Sequence, residues 1–136
     1  MHRTTRRLAA RAAVAALLAA TAALGWPGAA SAAGYNGACG AGYSVIDSKP
    51  LNAGTVFLTW NSSTGQNCVV TIRNTPGPAQ LMSASIRLSG SGQWTNDVNY
   101  FTTYAGPVKV TAPGHCIDWQ GAIEDNSAGE FDSHCN

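Results

Sequence analysis

Alternation of hydrophobic and polar residues dominates the chain after residue 50 and limits the fold more than any other feature. A hydrophobic period of two, rather than 3.6, is typical of a β-strand with one buried face. Three runs carry it: Val56, Leu58 and Trp60; Cys68, Val70 and Ile72; Met82, Ala84, Ile86 and Leu88. Loop-forming compositions separate the runs, at 61–66, 74–78 and 89–92. This pattern predicts an all-β fold, a small antiparallel β-sandwich or barrel.

Residues 98–111 also have the composition and alternation of β-strands. Residues 98–104 are rich in aromatic and β-branched side chains, which favour strands. We predict one strand there, with Tyr100 and Tyr104 on one face and Phe101 on the other. Residues 108–111 alternate again, and 112–114 have a loop composition. We expect no second domain and no internal repeat.

The first 32 residues are typical of a secretory signal peptide. Arginines at positions 3, 6, 7 and 11 precede an apolar stretch from about Ala12 to Leu24, and residues 30–32, Ala-Ser-Ala, fit a cleavage site. The apolar stretch of about 13 residues is shorter than the roughly 20 that a membrane-spanning helix needs. We therefore predict a helical, cleaved signal peptide over 1–32 and a single secreted β domain over 33–136 that does not span the membrane. The arginine pair at 6 and 7 leaves the twin-arginine export route open.

Cleavage would change the charge balance of the chain. Residues 33–136 contain four Lys and Arg residues against seven Asp and Glu residues, a formal net charge of −3. Binding to nucleic acid depends largely on basic side chains that replace counterions at phosphates, so we expect no nucleic-acid partner. Five of the seven acids follow residue 117. This acidic end indicates a solvated tail or, as a sharper alternative, a cation site.

All four cysteines lie after the predicted cleavage site: Cys39, Cys68, Cys116 and Cys135. An even number of cysteines in an exported chain predicts two disulfides, for which three connectivities exist. We favour pairing in sequence order, 39 with 68 and 116 with 135. These pairs close loops of about 30 and 20 residues, and each would stabilise the fold by roughly 3–4 kcal/mol. A zinc site is disfavoured because no C-x-x-C spacing occurs.

Six segments carry a resemblance to a known family. They lie at 34–40, 42–48, 54–61, 67–73, 104–108 and 112–119, and include Gly-Tyr-Asn-Gly-Ala-Cys-Gly at 34–40 and Ala-Pro-Gly-His-Cys-Ile-Asp-Trp at 112–119. Together they resemble the spore-associated protein A family of filamentous actinobacteria, over about residues 34–135. The resemblance implies a secreted protein found at the spore surface. It implies no established enzymatic activity, and it supplies no catalytic residues.

Each of the last two cysteines is directly preceded by a histidine, His115 and His134. If these cysteines are paired, both imidazoles lie at one corner of the molecule, with Asp118 and Asp132 close by. Imidazole and carboxylate ligands in such an arrangement are a candidate site for Zn²⁺ or Cu²⁺. The alternative is that two histidines merely flank cysteines in a polar segment.

Hydrolytic catalysis has weaker support. Asp132 and His134 are two positions apart and so lie on one side of an extended segment, with Ser127 and Ser133 nearby. No G-x-S-x-G motif accompanies them, and any acidic stretch offers paired carboxylates. We therefore expect a protein that is not an enzyme and uses no cofactor.

Aromatic rings suggest a second class of function, a module that binds glycan. Phe57 points away from the apolar face of its strand, and Trp94 lies in a Gly-rich segment where burial is difficult. Exposed rings can stack on sugars, so Trp94 and Phe57 are the candidate ligand-binding residues. The alternative is that these rings are core or sandwich-edge residues, as we expect for Trp60, Tyr100, Tyr104 and Trp119.

The two remaining classes predict different behaviour. A non-enzymatic surface component would be held on the spore or cell surface by protein contacts and would be indifferent to sugars. An extracellular glycan-binding or cell-wall-binding module would show saturable retention that depends on Trp94 or Phe57. The first is our prediction from the sequence, and the second is the alternative.

Overall fold

The computed structural model describes residues 31–135, which form eight β-strands. The strands are β1 Ser44–Leu51, β2 Gly54–Asn61, β3 Gln66–Arg73, β4 Gln80–Leu88, β5 Thr95–Phe101, β6 Tyr104–Thr111, β7 Ile117–Ile123 and β8 Asn126–Ser133. Within the described part of the chain, no helix has the length and apolar character to cross a membrane. The all-β prediction is confirmed. The predicted signal peptide lies, up to residue 30, outside the described residues.

The strands build two four-stranded antiparallel sheets that pack face to face. The first sheet has the order β1-β2-β3-β6, and the second has the order β5-β4-β7-β8. β1 packs against β8, β2 against β7, and β6 against β4 and β5. The chain therefore adopts the sandwich rather than the barrel. The edge strands β1 and β8 border the same side of the sandwich.

The hydrophobic alternation of β2 and β4 explains how the space between the sheets is filled, whereas on β3 Val69 faces the core and the run Cys68, Val70 and Ile72 faces outward. The inward positions of the central strands are buried, and they include Val56, Leu58, Val69, Met82, Ala84, Ile86 and Trp119. Gly121 on β7 lets the two sheets approach, because a Cβ at this position would lie 2.7 Å from Cγ2 of Val56 and would also meet Thr71 Oγ1. Close packing of this kind tolerates little added volume.

An N-terminal strap, residues 33–43, crosses the outer face of the first sheet. Phe57, Val70 and Ile72 point outward from β2 and β3, and a second hydrophobic cluster forms where Ala33, Tyr35 and Ala38 pack over them. The outer face of this sheet is thus partly a buried surface. Cys68 shares that side with Val70 and Ile72, which explains why its alternation looked like that of a core residue.

Polar and covalent contacts fasten the strap to the sheet. Cys39 is disulfide-bonded to Cys68 of β3, with the Cα atoms 6.1 Å apart. The Tyr43 hydroxyl donates to Oε1 of Gln66 over 2.7 Å, and the Lys109 ammonium lies 4.6 Å from the centre of the Tyr43 ring. These contacts tie the strap to β3 and β6.

The second disulfide joins Cys116 to Cys135, the two ends of the β7–β8 hairpin. The acidic end of the chain is therefore not a solvated tail, contrary to the simpler interpretation of its composition. Asp118 is buried on β7, and Glu124 accepts a hydrogen bond from the backbone N–H of Leu81 over 3.0 Å. These acids belong to ordered structure.

The prediction of one strand over 98–104 is wrong. β5 ends at Phe101 and β6 begins at Tyr104, and the two strands belong to different sheets. Tyr100 and Tyr104 consequently lie on opposite layers of the sandwich rather than on one strand face. The two-residue connection between the layers contains Thr102 and Thr103, which resemble the neighbouring strand residues in composition and therefore gave no loop signal.

Candidate functional site

Charged residues occupy inward positions at the open side of the sandwich, between β1 and β8. Asp47 and Lys49 pair in register with Leu58 and Val56, whose side chains are in the core, and Glu130 pairs with the buried Trp119. Residues directly opposite each other in a ladder share a face, so these three side chains point between the sheets. We call Asp47, Lys49, Glu130 and His134 the edge cluster.

Short distances connect the members of the edge cluster. The Lys49 ammonium lies 3.5 Å from Asp47 Oδ2 and 3.2 Å from Glu130 Oε2, and His134 Nε2 lies 3.0 Å from Asp47 Oδ2. The ring of Trp119 lies beneath, 5.8 Å from the Lys49 ammonium and 6.3 Å from the His134 ring, centre to centre. The cluster therefore links the first sheet to the second at their shared side.

The electrostatics of the cluster favour the charged forms of Asp47 and Lys49. Burial raises the pKa of Asp47, but hydrogen bonds from His134 and the Ser48 backbone N–H, together with the positive charge of Lys49, outweigh it and hold that pKa below its ordinary value. The hydrogen bond to Glu130 raises the pKa of Lys49, and the charge of Asp47 adds to this effect. Opposite charges at these distances stabilise each other's ionised state.

The edge cluster also has the ligand types of a metal centre. One ligand atom from each of Asp47, Glu130 and His134 lies within 4.8 Å of the other two. The Lys49 ammonium already pairs with both carboxylates, so a cation would compete with it there. The Lys49 ammonium thus lies where a metal ion bound by Asp47 and Glu130 would have to lie.

The predicted metal site at His115, His134, Asp118 and Asp132 is not assembled. His115 is exposed and donates its backbone N–H to the Ala112 carbonyl, while His134 turns to Asp47 of β1. Among residues 31–135, no group of three or more potential ligands at metal-binding distances includes His115. The sequence could not reveal this outcome, because the partner of His134 lies 87 positions away on another strand.

Asp118 is the centre of a separate polar network on β7. It is 4% exposed, and its carboxylate accepts hydrogen bonds from Arg87 Nε (2.8 Å), Ser89 Oγ (2.7 Å) and the backbone N–H of Asp132 (2.8 Å). Burial raises the pKa of Asp118, but the Asp132 N–H, the Ser89 hydroxyl and Arg87 together bring it below its ordinary value. Both oxygens are engaged, so the side chain serves the structure of the β7–β8 hairpin.

The geometry also separates the residues that suggested hydrolysis. His134 contacts Asp47 rather than Asp132, and the Asp132 backbone N–H serves Asp118. Ser133 Oγ is buried without a hydrogen-bond partner in the described part of the chain. A nucleophile, a base and an orienting acid in hydrogen-bond contact are what such catalysis requires. The spacing of Asp132 and His134 does not produce that arrangement here.

The two predicted glycan-binding rings have different surroundings. Phe57 is 8% exposed under the N-terminal strap and cannot present its ring to a ligand. Its outward direction was interpreted correctly, but the covering strap was not foreseen. Trp94 is half-buried, at the start of β5. Its ring lies 4.4 Å from the Arg87 guanidinium carbon and 6.1 Å from the ring of Phe131, edge to face.

Two exposed rings on the second sheet were missed as candidate binding residues. Phe131 on β8 is 57% exposed, and Tyr100 on β5 is 65% exposed. Sequence reasoning assigned Tyr100 to the core or to the edge of the sandwich, and it overlooked Phe131 because this ring lies among acidic and small residues. Exposure of a large aromatic side chain indicates a binding surface, and this exposure is visible only in the folded structure.

A shallow depression of about 290 Å³ lies at one end of the sandwich, lined by Asn52, Ala53, Arg73, Asn74, Thr75 and Gln80. Arg73 Nη1 lies within 3.4 Å of the carbonyl oxygens of Gly77, Pro78, Phe101 and Thr102, which positions its guanidinium to donate to them. The arginine that lines this depression therefore holds together the β3–β4 and β5–β6 connections.

The fold and its contacts define a small β-sandwich protein with two disulfides, a charged side and an aromatic outer face. No protein-family model matches the chain, and no solved structure matches it significantly. The chain is 46% identical, over 122 residues, to the curated spore-associated protein A of Streptomyces coelicolor; the match covers 89% of this chain and 79% of that protein. The chain therefore belongs to the spore-associated protein A family, as its motifs predicted.

Proposed function

We propose that this protein is a secreted, non-enzymatic component of the exterior of the spore or cell. The observation that carries the proposal is the 46% identity to a protein named for its association with spores. The match extends over 89% of the chain, so the similarity concerns the whole sandwich and not a single motif. Shared fold alone would not support shared function, but identity at this level across the domain does.

The two disulfides support a location outside the cytoplasm. Cys39–Cys68 fastens the strap, and Cys116–Cys135 closes the last hairpin, so both ends of the described chain are cross-linked to the sandwich. Disulfides persist mainly in oxidising compartments. Such cross-links also suit a protein that must remain folded on an exposed surface, away from cellular chaperones and reductants.

The chemistry of the polar groups supports a structural rather than a catalytic role. Asp118 is saturated by Arg87, Ser89 and Asp132, and the Asp47 carboxylate is held by Lys49 and His134. Catalytic groups need an accessible site in which a reacting atom can approach them. In this sandwich the two carboxylates with lowered pKa values, those of Asp47 and Asp118, instead make contacts that join strands.

Fractionation of the native host tests this proposal. We expect the protein in the medium and the spore or wall fraction, beginning near Ala33 and without thiols that react with alkylating reagents. Cytosolic protein that retains residues 1–32 and carries reactive thiols would contradict it. The matched control is a variant with four arginines replaced, at positions 3, 6, 7 and 11, which should remain in the cytosol if these residues direct export.

A further inference from the structure

We propose that the outer face of the second sheet binds an uncharged polysaccharide chain. The proposal rests on the proposed function in that it names the partner through which the protein is held at the exterior. This face consists of the outward side chains of β5, β4, β7 and β8, in that spatial order. The outer face of the first sheet is partly covered by the N-terminal strap, which leaves the second sheet to offer an open platform.

Aromatic rings lie at both ends of this platform. Trp94, which directly precedes the edge strand β5, and Phe131 of the opposite edge strand β8 meet edge to face at one end. Tyr100 stands at the other end, paired in register with Leu81. Tyr100 lies six positions after Trp94, a distance of about 20 Å for extended backbone. Rings at this separation can stack on two well-separated sugar units of one extended chain.

The surface between the rings is mainly polar, apart from Val98 of β5, which is 59% exposed and pairs in register with Ser83. Its outward positions on the four strands include Ser83, Ser85, Asn96, Gln120, Ala122, Ser127 and Gly129. Hydroxyl and amide groups both donate and accept hydrogen bonds, as sugar hydroxyls do. An apolar protein partner would not require such groups, whereas a sugar chain presents hydroxyls along its edges and C–H groups on its faces.

Charge favours a neutral glycan over an anionic one. Arg87 and Asp118 neutralise each other over 2.8 Å at outward positions of β4 and β7. Next to them on β8, the exposed Asp132 adds a negative charge and no cation. Residues 33–136 carry a formal net charge of −3, which repels polyanions at long range. The platform thus has no unpaired cation with which to hold a phosphate or uronate chain.

The rings are held in place before any ligand arrives. Asp118, itself buried, fixes Arg87 through Nε, and the Arg87 guanidinium lies 4.4 Å from the centre of the Trp94 ring. Phe131, on the opposite edge strand of the same sheet, lies 6.1 Å from the same ring, centre to centre. A ring fixed in this way loses little conformational freedom on binding, which improves affinity. Arg87 and Asp118 therefore act as positioning residues for Trp94.

Binding of neutral oligosaccharides to oxidised protein over residues 33–136 tests the proposal. The range contains the eight strands and both disulfides, and near-ultraviolet circular dichroism establishes that the sample is folded. The probes are cellohexaose, chitohexaose and laminarihexaose, with polygalacturonate as an anionic comparison. We expect saturable heat on titration with at least one neutral probe and none with polygalacturonate. Binding of none of the three neutral probes, or of polygalacturonate alone, would overturn the proposal.

Ring variants locate the site. Trp94→Ala and Phe131→Ala should each weaken binding about tenfold, the effect of losing roughly 50 Å² of ring contact. Tyr104→Ala is the matched control, because Tyr104 is an exposed ring on the other sheet and should leave affinity unchanged. Equal affinity of the Trp94→Ala and Phe131→Ala variants, with near-ultraviolet circular dichroism showing both folded, would overturn the assignment to this face.

The proposed surface location and the proposed glycan binding can be disproved independently. If the wild-type protein is found on the spore surface but binds no neutral glycan, the surface location stands and the glycan partner is wrong. If it binds glycan in vitro but remains cytosolic in the host, the platform stands and the surface location is wrong. A dimer formed through this face would appear as a concentration-dependent mass that Phe131→Ala abolishes, and it would count against the glycan proposal.

Discussion

The Lys49 ammonium lies 3.2 Å from the Glu130 carboxylate, and this contact joins the edge strand of one sheet to the edge strand of the other. Asp47, on the same strand as Lys49, shares the ammonium at 3.5 Å. A charge that points inward on an edge strand disfavours pairing with a second chain, because the new partner would have to bury it. The edge cluster thus links the two sheets at the open side of the sandwich, and we expect its inward charges to disfavour association there.

Replacement of Lys49 by Val should increase self-association. The variant replaces one of the two inward charges of β1 with a β-branched residue that favours strands, which weakens the barrier to pairing with another copy. Sedimentation velocity should show a larger oligomer fraction than in the wild type at the same concentration. Lys109→Val is the control, because Lys109 lies on the edge strand β6 but faces the Tyr43 ring rather than the core. Equal association of both variants would contradict the role given to Lys49.

Acid should destabilise the fold through Asp47 and Asp118. Both carboxylates have pKa values below their ordinary value in the folded state, so they bind protons less readily there than in the unfolded chain. Their stabilising contribution is complete above the unfolded pKa of about 3.9 and is lost as the pH falls through the folded values. Thermal melts should therefore show a Tm that falls steeply below about pH 4. Between pH 5 and 7, Asp47 and Asp118 should contribute almost no change in Tm.

The Asp118→Asn variant tests how much of the acid sensitivity comes from Asp118. It removes the ion pair with Arg87, and we expect a loss of about 1–2 kcal/mol in the free energy of unfolding at pH 6, with a shallower decline in acid. The partial exposure of Arg87 limits the loss, since water can solvate the abandoned guanidinium. Asp125→Asn, in the exposed β7–β8 turn, is the matched control. A variant whose stability parallels the wild type at every pH would refute this account.

Removal of the first disulfide should release the N-terminal strap. In the Cys39→Ser, Cys68→Ser double variant, the closed loop of sequence separation 29 is opened, which should cost about 3–4 kcal/mol by chemical denaturation. Phe57, Val70 and Ile72 would lose their cover, so limited proteolysis should cut within residues 33–43 while the strands remain intact. The Cys116→Ser, Cys135→Ser variant should leave the strap protected. Identical cleavage patterns for the two double variants would show that the disulfide does not hold the strap.

Gly121→Ala should destabilise the sandwich, because its Cβ would lie between the sheets, against Val56 and Thr71. Overpacking of this kind costs about 1–3 kcal/mol, and the Tm should fall accordingly. Gly92→Ala is the matched control, since a Cβ there has no neighbour within 4 Å, and its effect should stay within about 0.5 kcal/mol. Equal stability of the two variants would contradict the close approach of the sheets at Gly121.

The strands β2 and β4 were predictable from the sequence because the side chains that they turn to the core are apolar at every second position. Leu58 on β2 and Ile86 on β4 recur at the period of two that a core imposes. The edge strands β1 and β8 gave no such signal, because Lys49 and Glu130 occupy inward positions where the alternation would require apolar side chains. The inward charges that we expect to disfavour association of these edge strands are also the reason why the strands lack a recognisable hydrophobic alternation.

The candidate sites were less predictable for a related reason. His134 and Asp47 are brought together by contact between two sheets, and no local spacing encodes that contact. Phe57 pointed outward as expected, but a strap from a distant part of the chain buries it. Trp94 was identified from its Gly-rich surroundings, whereas its partner Phe131 became visible only through its exposure on the assembled sheet.

Immunogold labelling of intact, unpermeabilised spores of the native host tests the central claim most directly. The account predicts gold particles on the outer surface of wild-type spores. Deletion of the coding sequence provides the background, and restoring the wild-type chain should restore the label. Label that appears only after the spores are sectioned, and lies in their interior, would contradict the assignment of this protein to the exterior.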